Sequence, residues 1–100
     1  MPGVVRRLSR NSFNVKEVEP MLKQIPLTSL GRNQTATVIE ISGGHGVAVR
    51  LSAMGIRPGR SIKKISDMFM RGPVTIRVGG ADIALGFGTA HKIIVEVEVQ

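Results

Sequence analysis

Two histidines, His45 and His91, are the only imidazoles in this 100-residue chain, and it has no cysteine to supply a thiolate. They share no H-x₃-H spacing, and Glu40, Asp67, Asp82, Glu96 and Glu98 are scattered rather than clustered around either of them. A chain with a net charge of +7 is also a poor host for a divalent cation. No resident metal and no cofactor is therefore expected. Catalysis finds no better footing. Serine, histidine and aspartate are present, but no spacing arranges a nucleophile, a base and oxyanion donors. The glycine runs at 43–46 (GGHG) and 86–88 (GFG) lack the Lys-Ser/Thr that ends a phosphate loop, so they read as turns. No enzyme and no small-molecule substrate is expected.

What remains is recognition by surface side chains, and two stretches have the residues for it. The first is Gly43–Gly59 (GGHGVAVRLSAMGIRPG), which carries Arg50, Met54 and Arg57. The second is Met68-Phe69-Met70-Arg71, where three large apolar residues stand in a loop between strands. Adaptable methionines beside an aromatic ring and an arginine suit a binding surface. The expected partner-binding residues are Arg50, Met54, Arg57, Met68, Phe69 and Arg71. Met54 also lies in the i, i+4, i+7 series Val47, Leu51, Met54, which points it toward a core.

The totals narrow the kind of partner. The positive balance favours an acidic one. Only Phe13, Phe69 and Phe87 are aromatic, so there are no rings on which to stack bases or wall a proline-rich groove. Nucleic acid is disfavoured on that ground, although a small basic barrel that binds it is the main rival reading. No apolar run approaches the roughly 18 residues of a membrane helix, and no signal peptide is evident. A cytoplasmic location follows as the expectation.

These side chains need a scaffold. Residues 1–24 hold five basic residues (Arg6, Arg7, Arg10, Lys16, Lys23) and read as a flexible N-terminal extension. Such an arm could contact a partner or a second copy of the chain, and self-association stays open. Residues 25–100 read as one small domain. Thr35–Ile41 is rich in β-branched residues and predicts a first strand. His45–Met54 is ambiguous. Val47, Val49, Leu51 and Ala53 alternate as in a strand, while Val47, Leu51 and Met54 share a helical face. Good helix formers and the Gly55 and Pro58 stop signals decide for a helix. Strands follow at Arg60–Ser66, with Ile62 inward and its basic residues outward, at Val74–Val78, at Ala81–Leu85 and at Lys92–Val99. Gly79-Gly80 joins two of them as a hairpin turn. Five strands of this length bury one face only by curling, so the expectation is a small β-barrel with one inserted helix at its end.

Residues 25–98 resemble the FeoA family of small ferrous iron transport proteins. The match rests on Leu27-Thr28-Ser29-Leu30, Gln34, and the spaced run Arg50-Leu51-x-x-Met54-Gly55-Ile56-x-Pro58-Gly59. It continues through Gly72-Pro73, Ile83-Ala84-Leu85, Ala90, Ile93 and Val95. Asn33 stands where the family usually has glycine, and asparagine tolerates the same left-handed backbone. Gly86-Phe87-Gly88 replaces a more charged stretch, and Met21 lies close to where many members begin. The resemblance implies an SH3-like β-barrel with an inserted helix. It also implies a cytoplasmic accessory role in Fe(II) uptake, acting on FeoB, the membrane transporter with a GTPase domain. The same domain shape occurs at the C-terminus of iron-dependent repressors, which makes a metal-responsive domain a further alternative.

Overall fold

The computed structural model describes residues 21–67 and 71–99. It contains six strands, β1 (Met21–Pro26), β2 (Thr35–Ile41), β3 (Ser61–Asp67), β4 (Val74–Val78), β5 (Ala81–Leu85) and β6 (Ile93–Val99). A one-turn 3₁₀ helix, Leu27–Ser29, follows β1; helix α1 (His45–Ala53) lies between β2 and β3, and α2 (Phe87–His91) between β5 and β6. The strands form one antiparallel sheet in the order β1-β6-β2-β3-β4-β5. This is the mainly β architecture with a helix inserted before β3 that the sequence patterns predict, and α2 adds a second, shorter helix; the SH3-like form is what the family resemblance implies. Strands β2, β4 and β5 fall where expected, and β3 and β6 start one residue later.

One strand was not foreseen. Residues 21–24, expected in the flexible extension, belong to β1, so the sheet has six strands rather than five. Met21 through Pro26 pair residue by residue with Val99 through Ile94. Residues 21–24 are all exposed, so β1 has no inward face over those positions and shows no period-two pattern to read. Its strand character comes from the backbone partner that β6 offers. Beyond Glu96, β6 has outrun β2, and residues 21–23 and 97–99 continue as a two-stranded ribbon. Met21, Leu22 and Val99 are exposed along it. Residues 1–20 and the expected contacts Met68 and Phe69 lie outside the described residues.

The core is the inward face of the curled sheet. Ala36 and Val38 of β2, Ile62 of β3, Val74, Ile76 and Val78 of β4, and Ile93 and Val95 of β6 supply it by simple alternation. Leu27, Leu30, Leu51 and Ile56 close it from the connections. Two bulges bend the sheet. At the first, β2 shifts register against β6 between Val38 and Glu40, which turns Ile41 rather than Glu40 toward the apolar side. At the second, β3 shifts against β4 between Lys64 and Ser66.

The expectation that the basic residues of β3 all point outward is corrected at Lys64. Two residues after Ile62, it occupies the next inward position and is fully buried. Its Nζ donates to the carbonyls of Leu30 at 2.7 Å and Thr28 at 3.2 Å, at the end of the 3₁₀ turn. The neighbouring loop is built as the sequence suggested. Asn33 takes φ 69°, and the Gly31 N–H donates to the Gln34 side-chain oxygen at 2.7 Å.

Gly79 and Gly80 both have positive φ (57° and 93°), as a two-residue hairpin turn requires. Beside the turn, Arg77 and Asp82 are register partners and form a two-point ion pair of 2.8 and 3.2 Å. The hydrogen bonds from Arg77 hold the exposed Asp82 carboxyl below its ordinary pKa. The pair therefore stabilises the fold above the unfolded carboxylate pKa, and that contribution is lost as pH falls through the lowered folded value. An NMR titration of the Asp82 carboxyl should show a depressed midpoint that Arg77→Gln moves back up. An unchanged midpoint in that variant would remove Arg77 as the cause.

Candidate functional site

Helix α1 is held at both ends, and the reason lies in the backbone. Before it, Gly43 and Gly44 take φ 99° and 93°, conformations that favour glycine, and Gly44 caps the helix without a side-chain hydrogen bond. Ser42 is tied to Lys92, its N–H and Oγ both donating to that carbonyl at 2.8 and 3.2 Å. At the C-terminus, Met54 is the cap residue. Gly55 (φ 87°) donates to Ser52 O at 2.9 Å, and Ile56 donates to Leu51 O at 2.9 Å. These two bonds make a Schellman motif, and its usual apolar clasp is the buried pair Leu51 and Ile56. Gly59 then donates to Val38 O at 2.8 Å, returning the chain to β2.

With Leu51 buried and Val47 packed against the core, the opposite stripe of α1 faces outward. His45, Ala48, Val49 and Ser52 follow the i, i+3, i+4, i+7 series of one helical face. They line one wall of a solvent-open groove of about 330 Å³. Ile41 from the end of β2 and Arg57-Pro58 from the turn after α1 line the rest. Val49 is 51% exposed within it. The lining is an apolar floor with a guanidinium, an imidazole and a hydroxyl, and it contains no carboxylate. Such a surface can take an apolar side chain and satisfy an anion beside it.

The expected contact residues are not one patch. Arg57 lies in the groove. Arg50 and Met54, one helical turn apart, are exposed on a different side of α1. The expectation of a core position for Met54 is corrected: it is 42% exposed, because the helix ends at Ala53 and its cap residue leaves the buried stripe. Arg71 sits elsewhere, in the left-handed region at φ 65°, with its guanidinium 5.6 Å from the Phe87 ring centre at the start of α2. Phe87 stacks on His91 at 5.9 Å, and His91 Nδ1 is hydrogen-bonded to Thr28 Oγ1 at 3.0 Å. His91 thus anchors α2 to the 3₁₀ turn.

The groove-lining residues His45, Val49 and Ser52 were not among the expected contacts. One signal for them was in the sequence. Val49 is apolar yet off the Val47–Leu51 stripe, and it is what made the segment resemble a strand. Among the described residues, no three His, Asp or Glu side chains come together, and no helix is long and apolar enough to cross a membrane.

A family model described as the FeoA domain matches residues 25–97. A protein described as Fe(2+) transport protein A in Methanocaldococcus jannaschii is 39% identical over 71 residues, covering 71% of this chain and 84% of that protein. Among solved structures, the crystal structure of an iron uptake regulatory protein (FeoA) superposes with a TM-score of 0.68 at 34% identity, covering 77% of this chain and 99% of that one. IdeR of T. acidophilum superposes with a TM-score of 0.66 at 29% identity, covering 81% of this chain but only 37% of IdeR.

Proposed function

We propose, since this chain belongs to the FeoA family, that it is a non-enzymatic accessory protein of Fe(II) uptake that docks on the cytoplasmic side of a FeoB-type transporter. The observation that carries this reading is α1. A helix clamped at both ends presents two sets of exposed side chains, Val49 with Arg57 along the groove and Met54 with Arg50 on a different side. Exposed apolar side chains on a rigid element lose little entropy on binding, which suits an interface. The ion is the transporter's cargo, and this protein acts on the transporter. It does so by contacting one conformational state better than another, since a ligand shifts an equilibrium only through differential affinity. The same surface would set the rate of transport or of nucleotide hydrolysis in the GTPase domain. Arg71, which sits apart from α1, would make a separate contact with the partner, as would Met68 and Phe69.

A pull-down with the transporter's cytoplasmic domain tests the reading. Met54→Arg should weaken capture by about tenfold or more, equivalent to about 1.4 kcal/mol, with an unchanged melting temperature because Met54 is at the surface. Failure of the unmodified chain to bind that domain would refute the partnership.

A further inference from the structure

We infer that the groove beside α1 is the receptor for one apolar side chain carried on an acidic segment of the partner. The inference rests on the docking reading above only for the identity of that partner.

Size is the first argument. A space of about 330 Å³ is at the lower end of the roughly 300–1,000 Å³ of small-ligand sites. It accommodates a buried anchor of the kind that dominates interface energetics, not a folded surface. Its floor is apolar at Ile41, Ala48, Val49 and Pro58, so the anchor is an aliphatic or aromatic side chain.

Charge is the second. Arg57 stands in the wall and no acidic residue lines the groove. Glu40, next to Ile41 in the chain, is exposed, because the bulge in β2 turns Ile41 rather than Glu40 toward the apolar side. The first turn of α1 holds no acidic residue either. The groove therefore offers a cation and no anion, within a chain of net charge +7. Carboxylates flanking the anchor meet this field favourably, and lysines or arginines there are repelled.

The test uses the full chain and three short, terminally blocked peptides. One has a leucine between glutamates, one a leucine between lysines, and one a glycine between glutamates. Binding is read from backbone amide shifts by NMR. The glutamate–leucine peptide should bind at least about tenfold more tightly than either control, with shifts centred on Ile41, Ala48, Val49 and Ser52. Arg57→Glu should reverse the preference for flanking charge, and Val49→Asp should abolish leucine-dependent binding while leaving the remaining spectrum in place. Equal binding of the lysine-flanked peptide, equal binding of the glycine peptide, or shifts centred on the ribbon would each overturn the inference.

The same two variants, tried against the transporter domain, separate this inference from the docking reading. Full capture of both variants would overturn the groove as the receptor and leave the partnership standing. If the unmodified chain fails to capture that domain but binds the glutamate–leucine peptide as expected, the docking reading falls and the groove chemistry stands.

Discussion

Replacing Lys64 by alanine should destabilise the domain by about 3–5 kcal/mol, enough to unfold much of a domain this small. Two losses add. The long stem fills core volume between β3 and its neighbours, so truncation opens a cavity where nothing can relax without moving the sheet. The carbonyls of Leu30 and Thr28 also lose the Nζ that serves them, and a buried polar group left without a partner costs about 1–3 kcal/mol. Lys64→Met separates the two. It keeps most of the volume and removes the donor, so it should cost about 1–3 kcal/mol. Urea unfolding measures both as shifts of the midpoint at constant slope. A methionine variant as stable as the parent would show that the residue acts only by filling space.

Leu51→Ala is the second large effect, about 2–5 kcal/mol. Leu51 is 1% exposed and serves twice: it packs α1 onto the core, and it clasps Ile56 across the C-cap. In a domain of this size each kcal/mol lowers the melting temperature by roughly 4–8 °C. The comparison with Met54→Arg is the informative part. Both variants should lose partner binding, but only Leu51→Ala should lose thermal stability. If Leu51→Ala melted like the parent, the clamped-helix account of the surface would be wrong.

How far the sequence spoke for itself depended on what each position had to satisfy. Strands β2, β4 and β5 were legible because one face is buried and the other is not, so alternation and bounding turns suffice. The C-terminal stop of α1 was legible because Gly55 and Pro58 are local backbone requirements. Strand β1 was hidden because its exposed half has no buried face and its only partner is far away in sequence. Lys64 was misread because residue type argued for solvent, while its position two residues from Ile62 argued for the core; the carbonyls it serves lie in a turn that no local pattern connects to β3. The groove was partly legible. Val49 signalled a second apolar stripe, but its other walls come from Ile41 and Arg57-Pro58, and only the bulge in β2 and the Schellman turn bring those together.

The pairing of Met21 with Val99 has a consequence for how such a unit is used. The first and last of the described residues are neighbours across a ladder, so the sheet is entered and left at one place. Every other connection in the sheet is made within the unit. A unit wired in this way is portable. It can be set into a loop of a host protein or carried at either end of one without any core contact being redrawn. The helix and its groove then travel as a finished part, and a longer host changes only what stands near the doorway.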